Sequence, residues 1–76
     1  METLILRFER MGRKGKPVTV VAGFTRSARE LEEFASRFKK TFATGGTIRG
    51  QSIELQGDHR IRLRPYLAEM GFTVKG

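Results

Sequence analysis

The chain has 76 residues, and its 15 lysine and arginine residues exceed its 8 aspartate and glutamate residues to give a formal net charge of +7. This length predicts one domain, residues 1–76, with one modest hydrophobic core. The lack of cysteine excludes disulfides, thiolate nucleophiles and cysteine metal sites. The positive charge indicates a polyanionic partner, and its clustering favours a nucleic acid over an acidic membrane surface.

The first part of the chain predicts a β-hairpin. Leu4, Leu6 and Phe8 fall on one face of residues 3–9, which is the pattern of a strand with one buried face. Residues 18–22 are apolar and rich in β-branched side chains, so they predict a second strand. Residues 10–17 lie between them and contain two glycines and a proline, which predicts a long hairpin loop.

A long helix follows the hairpin. Ser27 and Glu30 have the spacing of a capping box. Apolar residues then recur at steps of three or four, which predicts one buried helix face, at Leu31, Phe34, Phe38 and Phe42. Acidic residues early in this segment and basic residues late in it complement the helix dipole. We expect Gly45 and Gly46 to supply the left-handed conformation that ends the helix.

The last part of the chain predicts a second hairpin, a second helix and a final strand. Residues 47–49 and 53–56 form the hairpin around residues 50–52. Asp58 is expected to cap the second helix, whose candidate inward residues are Ile61, Leu67 and Met70. Pro65 predicts either a kink or a helix that begins properly only near that residue. Gly71 ends the helix, and residues 72–75 add the last strand.

These elements follow one another in the order ββαββαβ. The predicted fold class is α+β, a two-layer open sandwich with two helices on one face of a mixed or antiparallel sheet.

The segment between the first two strands has the densest positive charge. Residues 10–16 carry four cations and no acid, and long cationic side chains on a glycine-rich loop can follow a phosphate backbone and release its counterions. The alternative is a solvated turn, but four neighbouring cations without internal counterions favour a binding role. The segment is not a Walker A loop, since Arg10 and Pro17 stand where that motif needs glycine and serine or threonine.

Two further basic clusters are candidates for RNA contact. Arg37, Lys39 and Lys40 lie late in the first helix, where dipole complementation and solubility are an equal alternative. Arg60 begins a third cluster with Arg62 and Arg64. The predicted RNA-binding residues are Arg10, Arg13, Lys14, Lys16, Arg37, Lys39, Lys40 and Arg60.

No catalytic or metal constellation is readable in the sequence. His59 is the only histidine, and its neighbour Asp58 cannot form a positioned pair with it. The serines have no companion base. The sequence therefore predicts a protein without metal or cofactor that is not an enzyme.

The residues around the two hairpins resemble the eukaryotic translation initiation factor one family, the SUI domain. The resemblance is carried by the basic hairpin loop and by a block of ordered motifs, Lys39-Lys40, Phe42, Gly45-Gly46-Thr47, Leu55-Gln56-Gly57-Asp58, Arg60, Leu67 and Gly71. It covers residues from about 13 to 76. The compact form resembles the prokaryotic branch, and Ala43-Thr44 stand where many members have a cysteine.

The resemblance implies an open sheet with two helices on one side and a role on the ribosome. Members bind ribosomal RNA of the small subunit near the decoding site and help to select start codons. The family's binding regions, the hairpin loop and the first helix, correspond to Arg13, Lys14, Lys16, Arg37, Lys39 and Lys40. The implied partners are the small ribosomal subunit and its ribosomal RNA, with initiator tRNA and other initiation factors as further candidates.

Two other functions fit the sequence less well. One is a general RNA-binding module or RNA chaperone without ribosome specificity, and the other is a small enzyme acting on RNA, which the missing acid and base residues disfavour. The first residues lack the basic start and long apolar core of a signal peptide. We therefore expect a cytoplasmic monomer that does not bind membranes.

Overall fold

A computed structural model of the chain describes residues 2–76 and contains two helices and a five-stranded mixed sheet. The elements in chain order are β1 (Thr3–Met11), β2 (Lys16–Ala22), α1 (Ala28–Phe42), β3 (Gly46–Arg49), β4 (Ser52–Gln56), α2 (Arg60–Glu69) and β5 (Thr73–Lys75). The predicted α+β class and ββαββαβ order are confirmed. Within residues 2–76, neither helix has the length and apolarity needed to span a membrane.

The strands are arranged in the order β3-β4-β2-β1-β5. β1 and β2 pair in antiparallel register, with Leu6 opposite Val21, and β4 lies antiparallel to both β2 and β3. β5 lies parallel to β1, with Thr73 opposite Thr3, so the first and last strands of the chain are neighbours. The sheet is therefore mixed, which is one of the two predicted alternatives.

The long loop predicted for residues 10–17 is wrong. Arg10 and Met11 still belong to β1 and pair with Pro17 and Lys16 of β2, which leaves only residues 12–15 as the turn. Because strand pairing extends the hairpin almost to its tip, the cations of this segment stand on a well-paired hairpin.

The hydrophobic core lies between one face of the sheet and both helices. Side chains alternate across a strand, so every second residue of β1 faces the helices. Phe38 of α1 and Leu63 and Leu67 of α2 are fully buried against this face. The sheet contributes Leu4, Leu6, Val21, Ile53 and Leu55. The two helices thus lie on the same side of the sheet, as predicted.

Helix α1 begins as predicted but ends differently. The Ser27 hydroxyl accepts a hydrogen bond from the Glu30 amide at 3.2 Å, and the Glu30 carboxylate accepts one from the Ser27 amide at 3.3 Å, which completes the capping box. The left-handed residue at the other end is Ala43, with φ 50° and ψ 51°, so the prediction that a glycine would fill this position is wrong. Gly46 serves close packing instead, since a Cβ there would lie 2.7 Å from the Glu54 carbonyl oxygen.

Helix α2 runs from Arg60 to Glu69 with Pro65 inside it, so the alternative start near Pro65 is wrong. Leu67 is buried as predicted and Met70 packs against the core. The inward placement of Ile61 is also wrong, because its side chain is 88% exposed. At about 100° per residue, Ile61 lies about 200° around the helix from Leu63, on the solvent side.

The residue at the cap position of α2 is His59, and within residues 2–76 its side chain makes no capping hydrogen bond. Asp58, the predicted cap, lies one residue earlier and accepts a hydrogen bond from the Arg60 amide at 3.3 Å.

Candidate nucleic-acid interface

The tip of the β1–β2 hairpin presents its cations to solvent. Gly12 and Gly15 both have positive φ, and the Gly15 amide donates to the Gly12 carbonyl at 3.1 Å, which closes the turn. Arg13 and Lys14 lie between these glycines and are exposed. Arg10 donates from Nη1 to the Gly15 carbonyl at 3.1 Å. This bond links the turn to β1, the strand that leads into it.

Sheet topology places three basic segments at one end of the protein. β2 starts at the hairpin tip, and the antiparallel strand β4 ends beside it. Two hydrogen bonds join the segments that meet there: the Gly57 amide before α2 donates to the Pro17 carbonyl at 2.9 Å, and Thr44 Oγ1 after α1 donates to the Gln56 carbonyl at 2.7 Å. We call this region the basic end; it comprises residues 10–16, Lys39, Lys40 and residues 58–62.

A buried threonine fixes the corner from which α2 starts. Thr19 is fully buried, donates from Oγ1 to the Gly57 carbonyl at 2.7 Å and accepts the His59 amide at 2.9 Å. The His59 imidazole Nε2 lies 2.7 Å from the Gln56 carbonyl, which can only accept. These bonds hold the first turn of α2 beside the hairpin. Thr19 and His59 therefore have a structural role at this corner.

Arg10 and Arg60 converge on one aromatic ring. The Arg60 guanidinium carbon lies 4.5 Å from the centre of the Phe8 ring, and that of Arg10 lies 5.7 Å from it. Cations over an aromatic face are attracted by its quadrupole. Phe8 therefore connects the hairpin to α2, and two of the predicted RNA-binding residues are neighbours in space.

The cations of α1 face two directions. The stem of Lys39 lies beside Gly46, so this residue belongs to the side of the helix next to β3. Arg37 and Lys40 border a shallow groove on the outer surface of the helix, together with Glu32 and Glu33. Arg37 thus lies on the flank of the helix, and the structure does not bring it together with the hairpin.

Most of the candidate cations have no ion-pair partner among residues 2–76, and the same is true of Arg62 and Arg64. Five arginines form the ion pairs of this described part of the chain, and they are Arg7, Arg26, Arg29, Arg49 and Arg60. Of the eight predicted residues, only Arg60 is in this set. The other seven offer their full charge to an external anion.

Arg60 is held by a bidentate contact with Asp58. Its Nε and Nη2 donate to the two carboxylate oxygens at 2.9 and 2.8 Å. These hydrogen bonds, with a further bond from the Arg60 amide, lower the pKa of Asp58 to about 2 although burial works in the opposite direction. Both side chains are half-exposed. The contact with Asp58 therefore fixes the position of Arg60 and leaves part of its guanidinium accessible to solvent.

The Asp58–Arg60 contact predicts an acid-dependent contribution to stability. The folded-state pKa lies below the ordinary value of about 3.9 for an unfolded aspartate, so the contribution is present above about pH 4 and disappears as pH falls towards 2. We expect Asp58→Asn to be less stable than the parent at pH 6, with the difference shrinking between pH 4 and 2. Denaturant unfolding across this range measures it.

Glu69→Gln is the matched control for that series, since Glu69 is exposed and forms no ion pair among residues 2–76. A gap between Asp58→Asn and the parent that stays constant from pH 6 to 2 contradicts the expected linkage.

Sequence reasoning missed two residues of the basic end. The Arg62 guanidinium carbon lies 5.1 Å from the centre of the Phe42 ring, and Ile61 projects beside it into solvent. The signal for Arg62 was its place in the third basic cluster. Its aromatic partner, Phe42, belongs to α1, so this contact could not be predicted without knowing how the two helices pack. Across residues 2–76, no three histidine, aspartate or glutamate side chains group as metal ligands.

Comparison with known proteins gives the family. The family described as translation initiation factor SUI1 matches residues 2–73. This chain belongs to that family. The resemblance predicted from the Gly-Gly and Gln-Gly-Asp motifs is thereby confirmed. The basic end is therefore one part of the surface of a SUI1 family member.

Several archaeal relatives share almost half of their aligned residues with this SUI1 family member. Proteins named protein translation factor SUI1 homolog are 46% identical over 63 residues in Methanosarcina barkeri, 48% over 60 residues in Sulfolobus acidocaldarius and 46% over 61 residues in Pyrococcus horikoshii. These alignments cover 83%, 79% and 80% of this chain, but 62%, 61% and 62% of the relatives. The chain thus spans about six tenths of the length of the relatives it matches.

Proposed function

We propose that this protein is a noncatalytic translation initiation factor that binds the small ribosomal subunit through ribosomal RNA in the cytoplasm. Membership of the SUI1 family supports a role in initiation. The observation that carries the proposal is the basic end, where the four hairpin cations have no ion-pair partner among residues 2–76, whereas Arg7, Arg26, Arg29 and Arg49 elsewhere in the chain are paired.

The hairpin has the geometry of a phosphate-binding element. Arg13 and Lys14 stand on a closed turn at the end of two paired strands, so binding does not need to order a mobile loop. Each cation that neutralises a phosphate releases condensed counterions, which favours binding at low salt. Lys39 and Lys40 at the C-terminus of α1 add positive charge at the same end of the protein, Lys39 next to β3 and Lys40 on the outer surface of the helix.

Binding of the purified protein to ribosomal subunits tests this function. We expect co-sedimentation with the small subunit in preference to the large one, and an affinity that falls steeply as salt is raised because phosphate contacts release counterions. Equal association with both subunits and with free RNA would identify a general RNA-binding module. Salt-insensitive binding would contradict a phosphate-dominated contact.

The effect on start-codon selection is a further part of the proposal. In an initiation reaction with small subunits and initiator tRNA, the protein is expected to reduce complexes on near-cognate codons more than complexes on AUG. A protein that binds the subunit and leaves this ratio unchanged would retain ribosome binding but not codon discrimination.

A further inference from the structure

The first turn of α2 carries two arginines that each lie over an aromatic ring. Arg60 lies 4.5 Å from the ring centre of Phe8 in β1, and Arg62 lies 5.1 Å from the ring centre of Phe42 in α1. The rings belong to different elements, so the two guanidinium groups are held on opposite sides of the helix start. Packing of this kind pre-organises a planar group at the surface.

Ile61 stands between these arginines and is the more exposed of two large apolar side chains that lie open to solvent in residues 2–76. It is 88% exposed, whereas the other, Ile5, is 44% exposed. An isoleucine in this position contributes nothing to the core. Flanked by two cations at the basic end, it offers an apolar contact to whatever the positive charge attracts.

The hydrogen bonds of Arg60 limit what it can do for a ligand. Its Nε and Nη2 are already committed to Asp58, and the adjacent carboxylate repels a phosphate. Three N–H donors of the guanidinium remain, on Nη1 and Nη2, and the face turned away from Phe8 is a plane on which a flat group can stack. Nucleobases stack on arginine planes, and they do so when they are unpaired and splayed out of a helix.

We propose that Arg60, Ile61 and Arg62 form a contact site for unpaired nucleobases of RNA, distinct in chemistry from the phosphate-binding hairpin. This inference rests on the proposed function, because the RNA in question is the one that the basic end binds. Stacking and apolar contact contribute affinity with little dependence on salt, whereas the hairpin cations contribute affinity that depends strongly on it. The two parts of the basic end are therefore separable by experiment.

The test compares Arg60→Lys with the parent on two RNA probes of equal length, a single strand and a fully paired duplex. Lysine keeps the positive charge beside Asp58 but lacks the planar guanidinium group. We expect Arg60→Lys to bind the single strand at least about fivefold more weakly, the lower end of what one base stack contributes, with an unchanged salt slope. Binding to the duplex should remain within about twofold of the parent.

Arg26→Lys is the matched control. Arg26 also lies over aromatic rings, 5.5 Å from Phe34 and 5.8 Å from Phe72, and pairs with Glu2, but at the opposite end of the sheet. Its replacement should leave binding to both probes unchanged. Thermal melts of both variants establish that they are folded, and Ile61→Ala supplies a second test at a site outside the packed core.

Equal weakening on single strand and duplex, or a shallower salt slope, would assign Arg60 to a phosphate and overturn the inference. Unchanged single-strand binding by both Arg60→Lys and Ile61→Ala would overturn it as well. Failure of the proposed function has another signature, since it is read from the unmodified protein's choice between small and large subunits. A single-strand defect in a protein that does not select the small subunit would support the base site and contradict the ribosomal role.

Discussion

Replacing Arg13, Lys14 and Lys16 together with alanine is expected to weaken binding to the small ribosomal subunit by at least about tenfold, which corresponds to about 1.4 kcal/mol. All three side chains project from the hairpin and have no ion-pair partner among residues 2–76. The salt slope should flatten by about 0.7–0.9 for each phosphate that is no longer neutralised. Stability should change by less than about 0.5 kcal/mol, as for other surface sites. Titrations at several salt concentrations and denaturant melts measure both quantities.

A charge-matched control separates the hairpin from net charge alone. Arg7, Arg29 and Arg49 are exposed and ion-paired, and changing all three to alanine removes the same charge. We expect this control to weaken binding less than the hairpin variant does. Equal weakening would mean that only the overall field matters, and a hairpin variant that melts earlier would mean that the hairpin cations are structural.

Phe38→Ala is expected to lower the free energy of unfolding by about 3–5 kcal/mol. Phe38 is fully buried in the second half of α1, with its ring centre 6.1 Å from that of Phe34 and 5.8 Å from that of Tyr66. Truncation removes an aromatic side chain that joins both helices to the sheet and leaves a cavity that the close-packed core cannot fill. Equilibrium denaturation by urea, followed by circular dichroism, measures the change.

Ile61→Ala provides the comparison for Phe38→Ala, since it also removes a large apolar side chain but from a position that is 88% exposed. Its effect on stability should stay within about 0.5 kcal/mol. Similar values for the two variants would show that α1 is not packed as described.

Local patterns accounted for the elements but not for their exact ends. The spacing of Ser27 and Glu30 predicted the start of α1 because a capping box is made by residues three apart. The left-handed conformation of Ala43 has no such signature. The amides of Ala43 and Thr44 donate to carbonyls in the last turn of α1, and Thr44 Oγ1 adds a bond to the Gln56 carbonyl of β4 that no local pattern contains. The extension of β1 to Met11 likewise depends on pairing with Lys16 across the turn.

In the candidate site, too, local sequence patterns predicted some features, whereas others depend on contacts between distant parts of the chain. Exposure of Arg13 and Lys14 follows from a glycine-flanked, acid-free segment, and the structure agrees. The stacks of Arg60 on Phe8 and Arg62 on Phe42 link residues about fifty and twenty positions apart, so no local pattern predicts them. The apolar character of Ile61 predicts an inward position, and only the phase of the buried leucines on α2 shows that it faces solvent.

The distribution of charge between the two ends of the sheet has a kinetic consequence. Glu2 and Glu30 bond with Arg26 at the end where α1 begins, while the hairpin cations lie at the other end, roughly 30 Å away along the nine residues of β1. A molecule polarised in this way experiences a torque as it diffuses towards a polyanion, and it arrives with its hairpin leading. Under the proposed function, a larger share of encounters with RNA then occurs in the orientation that binds, and association is expected to be faster than for an unpolarised protein of equal charge.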